Sequence, residues 1–166
     1  MNDADNELLN IFKEAVSIEI YGQEYYSRFS DLVEDENARS LLKGLSRDES
    51  EHRELIQVEY NKISGKPLNI KMLDHESKEK AKIIFPESTL SMNETKEVLK
   101  LGIRTEDRSI DLYSRSATKT ENISSKNLFL KLERIEKGHR ELLEDALYYL
   151  SQEGTWYGYS PPTLEG

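Results

Sequence analysis

The sequence predicts an all-α protein: an antiparallel four-helix bundle in which one long crossover joins two helix–turn–helix halves. Three observations carry this. Apolar and small residues recur at helical spacing along four long segments. Residues 64–91, between the second and third of these, hold Gly65, Pro67 and Pro86 and no long stripe. The second half repeats the first at an offset of 87 residues without a gap.

Helix one is expected over about 5–33. Its stripe is Leu8, Phe12, Ala15, Glu19, Gly22, Tyr26 and Phe29, with Asp3 or Asp5 as cap. After a polar break at Glu34–Asn37, helix two is expected over about 36–62. Its stripe is Ala38, Leu42, Leu45, Glu49, His52 and Ile56, and Gly65 and Pro67 end it. Within the crossover, Asp74–Ile84 could form a short helix capped by Asp74. Ser91 and Glu94 make a capping box for helix three, about 92–119, whose stripe is Leu99, Gly102, Glu106, Ser109, Tyr113 and Ser116. Helix four, about 123–151, follows a cap at Asn122 or Ser124. It carries Phe129, Leu132, Glu136, His139, Leu143, Ala146 and Leu150. Helices of this length measure roughly 40 Å, a span that the 28-residue connection can cover. Residues 1–151 thus read as one bundle domain. Residues 152–166 read as a Gly/Pro/aromatic tail that either docks on the bundle or a second subunit or stays partly disordered.

Composition narrows the function. The chain has 166 residues and no cysteine, which excludes disulfides, zinc–thiolate sites, iron–sulfur clusters and thiol catalysis. Lack of cysteine fits a reducing cytoplasm. No apolar leader or membrane span is visible. A net charge of −9 opposes sequence-independent nucleic-acid binding.

The offset of 87 maps Glu19 onto Glu106, Tyr26 onto Tyr113, Glu49 onto Glu136 and His52 onto His139. Between 45–55 and 132–142, seven of eleven residues are identical. Four glutamates and two histidines therefore stand on core stripes at mid-height. Buried carboxylates without partners cost several kcal/mol each, and no Lys or Arg shares the stripes near them. Two divalent ions would neutralise the four negative charges. The i, i+3 spacing of Glu-x-x-His puts both side chains on one helix face, so each pair can give one oxygen and one nitrogen to one metal. Glu19 and Glu106 can bridge or complete the shells. This is the ligand pattern of dinuclear carboxylate bundles. One Glu-x-x-His on a charged helix ordinarily marks a solvated face; two on core stripes, in a gap-free repeat, do not.

The residues Glu19-x-x-Gly22-x-x-x-Tyr26, Glu49-x-x-His52, Glu106-x-x-Ser109-x-x-x-Tyr113 and Glu136-x-x-His139 resemble the ferritin-like superfamily and, within it, rubrerythrin-type domains. The resemblance covers about 5–150. It implies a left-handed bundle binding two irons that react with O₂ or peroxide, as peroxidase or ferroxidase. Two departures matter. The rubrerythrin pattern has a further carboxylate where this chain has Ser109. The cysteine-ligated rubredoxin module is absent, so a peroxidase would need a separate electron-donor protein. Mixed carboxylate–imidazole ligation suits iron, and manganese or zinc would fit the same donors. Tyr26 and Tyr113 could hydrogen-bond the site or relay electrons, or simply fill the core. Gly22 and Ser109 could leave room for an oxidant or let helices pack closely. His75 reads as exposed. A cytoplasmic homo-oligomer is expected, a dimer ahead of a larger assembly. Two readings remain beside the oxidoreductase: an iron-storage bundle, and a structural bundle with a degenerate site.

Overall fold

The computed structural model describes residues 1–154 and Trp156. Five helices and no strand occur among the described residues: α1 Asp3–Leu32, α2 Glu36–Ser64, α3 Lys71–Lys82, α4 Met92–Lys119 and α5 Ile123–Glu153. α1 packs along α2 and α4 along α5 as two hairpins; α1 also meets α4, and α2 meets α5, to close the bundle. The crossover helix α3 lies on α1. Every residue of the four stripes is buried. Each large apolar one contributes about 1.5–3 kcal/mol by leaving water.

Caps fix the helix ends. Ser91 and Glu94 form the reciprocal box expected of them, and Asn122 accepts from the Ser125 N–H. Asp35 caps α2 by accepting from Ala38. Gly65 (φ 71°) and Gly154 (φ 69°) close α2 and α5 in the left-handed region, where a side chain would be strained.

Three expectations need correction. The cap of α1 is Asn2, not Asp3 or Asp5; Asp5 instead returns the bond, accepting from the Asn2 N–H. The crossover helix starts at Lys71, three residues early. Asp74 lies inside its first turn, where it pairs with Lys78 at 3.0 Å, while Asn69 accepts from the Lys71 N–H at 3.2 Å. An i, i+4 ion pair inside a helix uses the same residue type as a cap, which is why Asp74 misled. α2 and α5 each run two residues past their expected ends, to the glycine that stops them. Of the tail, Trp156 docks on the bundle, 6.5 Å from Phe29 between ring centroids; the remainder lies outside the described residues.

The core is interrupted. One apolar cluster surrounds Tyr25, Phe29, Leu42 and Leu99 at the end that holds Trp156. A second surrounds Phe12, Ile56, Phe129 and Leu132 at the other end. Between them sits a layer of charge.

Candidate metal centre

That layer is built from one residue each on α1 and α4 and two each on α2 and α5. α1 brings Glu19, α4 brings Glu106, α2 brings Glu49 and His52, and α5 brings Glu136 and His139; all six are 3% exposed or less. Both imidazoles turn Nδ1 inward. His52 Nδ1 lies 3.0 Å from Glu136 Oε1 and 3.4 Å from Glu19 Oε2. His139 Nδ1 lies 3.0 Å from Glu136 Oε2 and 3.2 Å from Glu49 Oε1. The two rings are nearly parallel, with centroids 5.7 Å apart.

The donor atoms fall into two sets, each within a 4.8 Å span: Glu19, Glu49, His52 and Glu136; and Glu49, Glu106, Glu136 and His139. Glu49 and Glu136 belong to both. The shared carboxylates are therefore those of the Glu-x-x-His pairs, and Glu19 and Glu106 stand at the outer ends. The offset of 87 residues exchanges one set with the other. It also exchanges two buried hydrogen bonds, in which the Tyr26 hydroxyl donates to Glu106 and the Tyr113 hydroxyl to Glu19.

The electrostatics favour a cation. No Lys or Arg among the described residues lies within ion-pair distance of the four glutamates. Glu19 Oε2 and Glu49 Oε1 are buried and accept no hydrogen bond from the described residues, a state that costs about 1–3 kcal/mol or more per atom unless compensated. Burial pushes the Glu49 carboxyl well above the usual carboxylate range, and Glu136 and Glu19 push it further. Burial and Glu136 do the same to Glu106. Burial would also raise Glu136, but the His139 and His52 imidazoles hold it below that range. Burial opposes charge on both histidines, yet Glu19 and Glu136 beside His52, and Glu136 beside His139, raise both imidazoles well above the ordinary value. Without metal, protons hold the cluster together. A metal must displace them. Burial, with Glu106 and Glu19 as neighbours, raises Tyr26 and Tyr113 far enough that both hydroxyls remain donors at neutral pH.

The smaller expected features resolve unequally. A Cβ on Gly22 would stand 3.2 Å from Glu49 Cγ and Oε2, so the missing side chain makes room for the shared carboxylate. Gly22→Ala should displace Glu49 and weaken divalent-metal binding at least about tenfold, the lower end of the range for disturbing a ligand's support. Metal titration of the variant checks this; unchanged affinity would show that Glu49 moves aside freely. Ser109 is buried, and its hydroxyl donates to the Thr105 carbonyl at 3.3 Å. His75 is exposed on α3.

Two buried acids escaped the sequence reading: Glu59, whose Oε1 accepts from the Ser125 hydroxyl at 3.2 Å, and Asp48, which touches a histidine of the centre. Asp48, 1% exposed, places Oδ2 3.1 Å from His139 Nε2. Its signal was an Asp at 48 facing an Ile at 135 within the most alike part of the repeat.

Comparison with known proteins gives the family and the fold. The family model for rubrerythrin matches residues 10–148. An uncharacterized protein of Bacillus subtilis (strain 168), YhjR, is 24% identical over 149 residues, spanning 89% of this chain and 90% of its own length. A hypothetical protein from Pyrococcus furiosus superposes with a TM-score of 0.72 at 18% identity, over 95% of this chain and 97% of that one. A dodecameric thioferritin, the bacterioferritin-related protein of Bacteroides fragilis, superposes with a TM-score of 0.71 at 16% identity, over 93% and 92%. The fold is ferritin-like, no described helix is long and apolar enough to cross a membrane, and the chain belongs to the rubrerythrin family.

Proposed function

We propose that this protein is a cytoplasmic diiron oxidoreductase that reduces peroxide or O₂ at the buried centre. The observation that carries the reading is the pair of four-donor sets sharing Glu49 and Glu136. Glu19, Glu49, His52 and Glu136 would hold one ion; Glu49, Glu106, Glu136 and His139 would hold the other. Two bound ferrous ions would supply two electrons, which with two protons from solvent take hydrogen peroxide to two waters or O₂ to hydrogen peroxide. The protein's own residues do the rest. Each histidine would offer Nδ1, the nitrogen that faces the glutamates, and keep its proton on Nε2. Tyr26 and Tyr113 hold Glu106 and Glu19 in orientation by donating to them. Gly22 keeps the space against Glu49 open. The apolar clusters above and below exclude water and keep the local dielectric low. A separate electron-donor protein would supply the electrons for a further turnover, and the chain would work as a homo-oligomer, with a dimer the simplest form.

The test is metal analysis of anaerobically purified protein, followed by stopped-flow mixing with hydrogen peroxide or O₂. About two ions per chain and rapid oxidation of both support the reading. Absence of bound iron after ferrous reconstitution would overturn it. A particle of several hundred kilodaltons that retains many irons per chain would move the assignment to storage.

A further inference from the structure

We infer that the two metal positions are unequal, because Asp48 supports the histidine of one and no described residue supports the histidine of the other. The inference rests on the metal-centre reading above. A metal-binding imidazole gains basicity and a fixed orientation when its second nitrogen donates to a carboxylate. His139 has this arrangement: Nδ1 faces the shared glutamates and Nε2 meets Asp48 Oδ2 at 3.1 Å. Asp48 is on α2, so the support crosses the bundle from the opposite hairpin.

The repeat states what His52 should have. Asp48 lies four residues before His52, so the matching position is four before His139, on α5. That residue is Ile135. Ile135 does line the same groove as His52, together with Leu55, Val58 and Lys131. It stands where the second carboxylate would be and offers no acceptor. Among the described residues, His52 Nε2 is accordingly buried without a hydrogen-bond partner. A buried donor left unpaired costs about 1–3 kcal/mol, and here the cost falls on the ring that must hold the metal. The His139 position should bind the more tightly, and the His52 position should be the one that empties first.

Asp48 is a positioning residue, since it reaches the metal only through His139. Binding of two neighbouring ions is stepwise even in a symmetric centre, so each position must be measured alone. His52→Ala isolates the His139 position, and His139→Ala isolates the His52 position. Each metal-free variant is titrated with Co(II) against a competing chelator, and the visible spectrum reports the bound ion. The isolated His139 position should bind about 10–100-fold more tightly, the range for loss of such a partner. Adding Asp48→Asn should remove that advantage in the His52→Ala chain and change nothing in the His139→Ala chain. Adding Ile135→Asp should raise affinity about tenfold or more in the His139→Ala chain only. Circular dichroism confirms that each chain is folded, and Ile135→Asp, at a half-buried groove position, tests the idea without touching the core. Equal affinities in the two single variants, or an Asp48→Asn effect of the same size in both, would overturn the inference and leave the metal centre standing. Failure of the unmutated chain to bind Co(II) at all would overturn the metal centre and this inference together.

Discussion

His52→Ala will leave the protein with about one metal ion per chain and slow its peroxide-driven oxidation sharply. The reason is local. His52 supplies the only nitrogen in the set with Glu19, Glu49 and Glu136. Alanine leaves three carboxylates around one ion and a cavity where the ring stood. Losing a ligand outright should exceed the about 10–100-fold cost of losing a ligand's outer partner. The metal-free variant will also suffer, because the protonated imidazole lies 3.0 Å from Glu136 and 3.4 Å from Glu19. Removing one member of a buried charge pair typically costs about 3–5 kcal/mol. Elemental analysis after reconstitution, beside thermal unfolding, separates the two effects. A solvated Glu–His pair would behave otherwise: stability would change by about 0.5 kcal/mol or less, and metal content would stay the same. Unchanged stoichiometry would remove the basis of the proposed function.

Metal removal should have the largest effect on stability, with a size that depends on pH. An ion held at 1,000 times its dissociation constant adds about 4 kcal/mol, so two add about 8. For a chain of this size, each kcal/mol moves the melting temperature about 2–4 °C. The loaded protein should therefore melt roughly 15–30 °C above the stripped one at neutral pH. The stripped protein should then recover as the solution is acidified. Glu49 and Glu106 titrate higher in the folded chain than in the unfolded one, where the value is about 4.3; so do His52 and His139, against about 6.5. A raised group binds its proton more tightly when folded. Its contribution is complete below the unfolded value and is lost as pH rises through the folded one. Stability of the stripped protein should thus fall as pH climbs from about 5 to 8. Glu136 acts in the opposite sense, but only in strong acid, because its folded value lies below the ordinary range. The loaded protein should gain over the same window, since metal displaces those protons. Melting curves with chelator and with metal, taken at intervals from pH 5 to 8, check this. Parallel curves would contradict it.

Much of the molecule was legible in advance, for reasons that can be located. The stripes were readable because a 3.6-residue period records which face is buried. The polar members Glu19, Glu49, His52, Glu106, Glu136 and His139 kept that period, so their burial could be read with it. Local polar choices were less readable. Asn2 and Asp5 are both competent caps, and only the reciprocal hydrogen bonds decide between them. Asp74 could cap a helix or pair within one. Asp48 was missed because it is one residue off the stripe of α2, and a cross-helix partner leaves no period in its own helix. Which carboxylates are shared was also out of reach, since spacing along one helix does not say which way a glutamate leans across a bundle.

The mirrored hairpins have a consequence for how such a centre can change over time. If α1–α2 and α4–α5 were separate identical chains, two of them could build the same cluster as a symmetric dimer. Every substitution would then appear twice, once beside each metal. Joining the hairpins through residues 64–91 ends that obligation. Gly22 can face Ser109, and Asp48 can face Ile135, without either choice being imposed on the other side. Fusion after duplication thus gives the centre a left and a right, and selection can act on each ion separately while the shared carboxylates keep the two together.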